Sequence, residues 1–396
     1  MMNAITRAKG FLAAGVRAGI KEQGEDIALI VSETPASGAG VFTTNLVCAA
    51  PVSVSRARVP SSTARAVIAN SGNANACTGQ QGMHDALEMA SETARLLGVR
   101  SEDVLVASTG IIGRPMPMPK IRSGIAEAVS LLSVEGGDSA SRAIMTTDTR
   151  PKEALAEVFI GDVRAQIGGI AKGAGMICPN VATMLSFITS DVAITPEMLQ
   201  LCLSRSADIS YNCLTVDGDT STNDTVIMLA NGLAENPLID APGPMLDAFQ
   251  QALDSITISL AKQIARDGEG ATKLMEITVV GARSFQDARQ IAKTIANSPL
   301  VKTAMFGCDP NWGRILAAAG RAGVTLDPKS INLGLGELTL VKGGEPIAFS
   351  EKEARELLRN TEVSVILDVG DGPGQATVWT CDFSYDYVKI NAEYHT

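Results

Sequence analysis

The chain reads as an α/β protein of layered sheets with flanking helices, plus a smaller α/β unit at its C-terminal end, because β-rich runs alternate with helical periods along its length. Two further observations point the same way. The runs Ala66 to Ala69 and Val104 to Ala107 each feed a polar, glycine-bearing turn: Asn70-Ser71-Gly72-Asn73-Ala74-Asn75 and Ser108-Thr109-Gly110-Ile111-Ile112-Gly113. Such turns are where α/β folds assemble their sites. Hydrophobic residues make up 45% and charged residues 19% of 396, enough apolar surface for a large core.

Taken in order, Ile27 to Val31 reads as a strand, followed by the two runs just named. Between those two runs, Met83, Leu87, Ala90, Ala94 and Leu97 recur at helical spacing, and Gly98 closes the helix. Leu185 to Ile188 is a further strand. Pro244 to about Arg266 carries Phe249, Leu253, Ile256, Leu260 and Ile264 on one stripe and runs into a loop holding Glu269. Ile277 to Val280 reads as a strand and Phe285 to Asn297 as an amphipathic helix. Ser350 with Glu353 gives a capping-box pattern for a helix to about Arg359. Val363 to Val369 and Ala376 to Thr380 add strands around Gly370 to Gly374. These elements suggest a boundary between residues 270 and 285, dividing the chain into 1–275 and a smaller 276–396.

Composition excludes several classes. With 33 Lys and Arg against 43 Asp and Glu, the net charge of −10 repels a phosphate backbone, so no nucleic-acid partner is expected. No apolar run reaches the roughly 20 residues that span a bilayer, and the first residues lack a signal-peptide pattern, so a cytoplasmic protein without a membrane partner is expected. Seven scattered cysteines with no C-x-x-C pair fit a reducing compartment and argue against a structural metal. The only histidines are His84, on the polar side of its helix, and His395. A Ser-His-Asp or Cys-His mechanism therefore finds little support.

The densest unusual chemistry is Gly168 to Thr189, GGIAKGAGMICPNVATMLSFIT, with four glycines and Lys172 as its cation. A phosphate-binding loop is a poor fit, because no hydroxyl follows Lys172. By composition alone, a structural glycine turn leading into a buried strand is an equal reading. Thr183 starts that strand after the small residue Ala182. An N-terminal nucleophile would need such a hydroxyl: it attacks the preceding carbonyl, and hydrolysis then frees an α-amine that serves as base without histidine. That amine has an ordinary pKa of about 7.7 to 8. Any threonine opening a strand looks the same, so β-propensity alone also accounts for it.

The chain resembles, over essentially its whole length, the ornithine acetyltransferase family of arginine biosynthesis, also called glutamate N-acetyltransferase. The motifs that carry the resemblance run in order: NSGNANACTG at 70–79, STGIIG at 108–113, MTTDT-PK at 145–152, AKGAGMICPNVATML at 171–185, VDGDTSTNDT at 216–225, DGEGATK at 267–273, GCDPNWGRILAA at 307–318 and the tail YDYVKINAEYHT.

The resemblance implies an N-terminal-nucleophile-like sandwich that cleaves itself between Ala182 and Thr183, leaving an α chain of 1–182 and a β chain of 183–396. It makes Thr183 the nucleophile and gives the oxyanion hole to the Thr109 hydroxyl and the Gly110 N–H. It places Thr146, Lys172, Glu269, Asn391 and Thr396, with Thr183, on the substrates N2-acetylornithine and glutamate. It also implies α and β chains joined in a heterotetramer, and no cofactor or metal, with acetyl-CoA open as a second acetyl donor. Cys178 receives no role. Asp217, Asp219 and Asp224 lack the spacing of a calcium loop and read as a polar loop. A β-aminopeptidase-type hydrolase and a non-cleaving binding protein are the competing classes.

Overall fold

The computed structural model describes residues 2–178, 184–370 and 372–393. Within them, one sheet holds β1 (Phe11–Val16), β2 (Ile27–Phe42), β3 (Ser61–Asn73), β4 (Val104–Ile111), β5 (Lys152–Ile160), β6 (Val163–Lys172), β7 (Leu185–Ser190) and β8 (Thr225–Ala230). Its order is β4-β3-β2-β8-β7-β6-β5, with β1 on β2. Helices α1 (Ala50–Arg56), α2 (Gly79–Leu97), α3 (Met118–Ser130), α4 (Gly137–Ala143), α5 (Pro196–Ile209) and α6 (Pro244–Arg266) lie between or after these strands. The pairs β3/β4 and β7/β8 are parallel. Each is bridged by a helix, α2 and α5 respectively, as a parallel pair requires a crossover.

A second sheet follows, with β9 (Leu274–Ala282), β10 (Asn332–Leu335), β11 (Leu338–Lys342), β12 (Glu345–Pro346), β13 (Glu362–Asp368) and β14 (Gly374–Cys381) in the order β12-β11-β10-β13-β9-β14. Its helices are α7 (Phe285–Ala296), α8 (Pro299–Phe306), α9 (Trp312–Gly320), α10 (Glu351–Leu358) and α11 (Tyr385–Glu393). The largest apolar cluster runs through both sheets, from Ile188 through Leu253 on α6 to Val365 on β13. α6 carries this continuity because its stripe Phe249, Leu253, Ile256, Leu260 and Ile264 is fully buried.

Two local readings change. Residues 70–73 and 108–111 are the last residues of β3 and β4, in register Asn70↔Ser108, Ser71↔Thr109, Gly72↔Gly110, and not turns. Their polar side chains are satisfied inside the protein, so polarity there does not signal solvent. β2 continues past Val31 to Phe42. Pro35 falls where its pairing with β3 shifts register; that pairing runs on to Gly38↔Ser61, and from Ser37 to Phe42 the other edge of the strand pairs with β8. At α10, Ser350 Oγ accepts from Glu353 N–H at 3.2 Å, which is the N-cap half of the box.

Candidate functional site

The ends of β4 and β6 meet the loops that follow α4, β6 and α6 and the loop before β8 around a cleft of about 810 Å³, counting its open mouth. Thr109, Gly110, Thr146, Lys172, Glu269 and Asn391 all line it. These six candidate residues lie on five separate segments, so the fold alone brings them together.

Thr109 and Gly110 end a strand built for close approach. A Cβ on Gly110 would lie 2.4 Å from the Gly72 carbonyl carbon, and Gly110 has φ of +132°, so only glycine fits there. Neighbouring amides hold the strand end. Asn70 Oδ1 accepts from Ser108 Oγ at 2.6 Å, and Asn70 Nδ2 donates to Asn73 O at 2.8 Å. Asn223 Nδ2 donates to both Ala74 O (2.6 Å) and Ser108 O (2.8 Å). With the Ser108 carbonyl and hydroxyl both engaged, the next two residues are fixed toward the cleft.

Lys172 closes β6. Its ammonium is buried and donates to Thr146 Oγ1 at 2.8 Å and, more weakly, to Thr109 Oγ1 at 3.4 Å. Burial lowers its pKa below the ordinary lysine value, and Asp148 opposes that shift. Asp148 has no role in the sequence reading, yet it organises this wall. It accepts from Thr146 N (3.0 Å), Gly173 N (2.6 Å) and Lys152 Nζ (2.6 Å). Burial alone would raise Asp148, but the ammonium groups of Lys152 and Lys172 outweigh it and hold the carboxyl below the usual range. Lys152, wholly buried, reaches Asp267 Oδ2 at 2.6 Å on its other side. The visible sequence signal was the pairing of Asp148 and Lys152 within one motif and Asp267 opening another.

Glu269 sits in the loop after α6, where its N–H donates to Ala174 O at 2.9 Å. Its Oε2 accepts from Asn391 Nδ2 on α11 at 2.8 Å, so the chain's last described helix returns to the cleft. Gly175 makes room: a Cβ there would stand 2.4 Å from the Glu269 carboxyl. Asp217, Asn223 and Tyr387 also line the cleft and carry no role in the sequence reading. Burial pushes the Asp217 carboxyl up, although Met176 N (2.6 Å) and Ile177 N (2.9 Å) donate to it. Burial, with Asp217 and Glu269 nearby, also pushes the Tyr387 phenol up. No local pattern distinguishes these residues, because each depends on which loops the fold folds back.

Ala182, Thr183 and Thr396 lie outside the described residues. The residues flanking the first two are held by one loop: Asp217 holds Met176 and Ile177, and Asp224 Oδ1 accepts from Met184 N at 2.9 Å. The acidic loop residues therefore serve separate backbone groups. His84 is exposed on α2, and Cys178 receives a 3.5 Å contact from Asn297 Nδ2.

A layered α/β protein whose small-molecule cleft gathers hydroxyls, one buried ammonium and carboxylates at strand ends is the class that fold and site define. The ArgJ family model matches residues 12–396, and the chain belongs to that family. It is 52% identical over 395 residues to the arginine biosynthesis bifunctional protein ArgJ of Symbiobacterium thermophilum, covering 99% of this chain and 98% of that one. It is 51% identical over 403 residues to the protein of the same name from Synechococcus sp., covering 99% and 97%. The crystal structure of arginine biosynthesis bifunctional protein argJ from Bacillus halodurans matches with a TM-score of 0.53 and 46% identity. That match covers 54% of this chain and 100% of that one.

Proposed function

We propose that this arginine-biosynthesis enzyme moves an acetyl group from N2-acetylornithine to glutamate through an ester on Thr183, freed by cleavage of the Ala182–Thr183 bond. The observation that carries this reading is the convergence of Lys172, Thr146, Thr109, Gly110, Glu269 and Asn391 on one cleft. Each has a task that its chemistry fits. The buried Lys172 ammonium and Thr146 hydroxyl suit a substrate α-carboxylate, and Glu269 with Asn391 suits the ornithine side-chain ammonium. The Thr109 hydroxyl and Gly110 N–H suit the oxyanion of a tetrahedral intermediate.

In the first half-reaction the Thr183 amine takes the hydroxyl proton as Oγ bonds the acetyl carbon. The C–N bond then breaks, and that proton leaves on the α-amine of ornithine. In the second, the α-amine of glutamate attacks the ester and the hydroxyl regains its proton. The Bacillus halodurans chain is matched along its full length by 54% of this one, the share that residues 183–396 make up. This supports two chains after cleavage, which we place in a heterotetramer. The relatives' description as bifunctional supports acetyl-CoA as a second donor, with no resident cofactor. Residues 1–275 carry the nucleophile and 276–396 return the tail to the cleft. Among the described residues no helix is long and apolar enough to cross a membrane, and we place the enzyme in the cytoplasm.

Incubation with N2-acetylornithine, with and without glutamate, tests the reading. Acetylglutamate should form in the first case, with little free acetate in the second. Rapid acetate release with no acetylglutamate would instead show a hydrolase. Denatured mass should show two fragments in place of 41.2 kDa, and Thr183→Ala should stay whole.

A further inference from the structure

N2-acetylornithine and glutamate carry side-chain charges of opposite sign, yet the ornithine side-chain nitrogen and the glutamate γ-carboxylate oxygens stand the same number of bonds from Cα. With Lys172 as the α-carboxylate anchor proposed above, both side chains end at the same stretch of wall. That stretch must meet an ammonium in one half-reaction and a carboxylate in the other. Glu269 suits the first and repels the second, so the second needs a donor beside it.

On the loop after α6 and on α11, the residues that line the cleft are Glu269, Tyr387 and Asn391. Both N–H groups of Asn391 Nδ2 are engaged, one by Glu269 Oε2 at 2.8 Å and one by the Tyr387 carbonyl at 3.0 Å, so this amide has no donor left. Tyr387 has one. Its hydroxyl makes no hydrogen bond among the described residues, and Asp217 and Glu269 face the phenol. Burial and these two carboxylates push the phenol above its ordinary value, so it keeps the proton that it can donate.

The ring is held in place. It stacks on Phe383 with centroids 4.6 Å apart and planes at 17°, and the Lys302 ammonium lies 4.5 Å from the centre of the Phe383 ring. Ser384 Oγ donates to Gly270 O at 2.6 Å and accepts from Asp386 N at 3.1 Å, which ties the start of α11 to the loop carrying Glu269. A Cβ on Gly270 would stand 2.4 Å from Tyr387 N, so glycine permits that close approach.

We propose that Tyr387 selects the acceptor: its hydroxyl donates to the γ-carboxylate of glutamate and lets the cleft take an anionic side chain beside Glu269. The inference rests on the acetyl-Thr183 reading above, in which both amino acids meet one acyl-enzyme. An ornithine ammonium has Glu269 as a charged acceptor and gains less from a neutral phenol oxygen. The phenol keeps its proton throughout and adds no covalent step.

The test lets glutamate, isotopically labelled ornithine and norvaline compete for the acyl-enzyme made from N2-acetylornithine, with the acetylated products counted by mass spectrometry. Norvaline puts a methyl where glutamate has its carboxylate. Product ratios depend neither on how much of a variant folds nor on how fast it is acylated. Tyr387→Phe keeps the stacked ring and should lower acetylglutamate relative to both other products by about tenfold to a hundredfold, the usual effect of losing a charge-assisted hydrogen bond. Unchanged ratios overturn the proposal. So does an equal fall of acetylglutamate and acetylnorvaline against labelled acetylornithine, which would give the phenol a role in wall shape alone. If Tyr387→Phe yields no folded protein, wild type decides: a strong preference for glutamate over norvaline supports the grip on the γ-carboxylate, and equal use of the two refutes it. Wild type that forms none of the three products overturns the transfer reading itself.

Discussion

Asn391 Nδ2 donates to Glu269 Oε2 at 2.8 Å, fastening the C-terminal helix α11 to the loop after α6. The bond leaves Glu269 Oε1 for a cationic substrate group. Glu269→Gln removes the charge and is expected to raise KM for N2-acetylornithine by about tenfold to a hundredfold, the worth of a charge-assisted hydrogen bond. Asn391→Ala should act in the same direction but less. Gly175→Ala is the sharper test. Its added methyl would occupy the Glu269 carboxyl position, and a flexible side chain can move where backbone cannot. Steady-state kinetics beside thermal melting should show KM raised with Tm nearly unchanged. A large drop in Tm would mean that Gly175 serves the fold instead.

Lys172 gives a pH-dependent prediction. Its pKa is lowered by burial, with Asp148 opposing, so the ammonium is lost at a pH below the ordinary lysine value of 10.5. Binding of a substrate carboxylate needs the charged form. KM for N2-acetylornithine should therefore rise on the alkaline side before pH 10.5, while Lys172→Met should show a high KM that is flat with pH. An alkaline limb of the same position in Lys172→Met would assign it to another group.

How far the sequence reveals this site depends on whether a residue's role is local. The helix Pro244–Arg266 is legible residue for residue, because its apolar stripe repeats at helical spacing and all of it faces the core. The strand ends at Asn73 and Ile111 are not, because Asn70, Ser108 and Asn223 satisfy one another across separate segments and mimic a solvated turn. Lys172 and Glu269 stand out in glycine-rich motifs, and the cleft holds both. Asp148 and Asp224 belong to quoted motifs, but their importance comes from burial, which only the tertiary structure sets.

Lys152 lies wholly buried between Asp148 and Asp267, 2.6 Å from each. Lys152→Met would leave two buried carboxylates short of their cation, and a loss of about 3–5 kcal/mol is expected in chemical denaturation. Asp148 adds an acid-side signature. Its folded-state pKa is depressed, so its contribution is fully present above the unfolded value of about 3.9 and is lost as pH falls from there toward the folded value. Stability measured from pH 6 down to pH 2.5, a range of about the width needed to cross the unfolded value, should fall more steeply in wild type than in Asp148→Asn. Equal slopes would mean that the carboxyl is not held in its charged form.

Thr109 and Gly110 share a proposed task but should fail differently. Thr109→Ala removes a hydroxyl from the cleft wall and leaves the β3/β4 ladder intact, since the ladder uses backbone groups. Removing one oxyanion donor is expected to lower kcat by about 10²- to 10³-fold with KM little changed, and Thr109→Ser should recover much of it. Gly110→Ala instead drives a methyl to 2.4 Å from the Gly72 carbonyl carbon and 2.6 Å from Asn73 N, at a φ of +132° that alanine resists. Backbone cannot yield there as a side chain can, so the strand ends must separate. Gly110→Ala should therefore melt several degrees lower as well as lose activity, whereas Thr109→Ala should melt like wild type. Thr109→Ala with unchanged kcat would take the hydroxyl out of the oxyanion site and leave the Gly110 N–H to serve it.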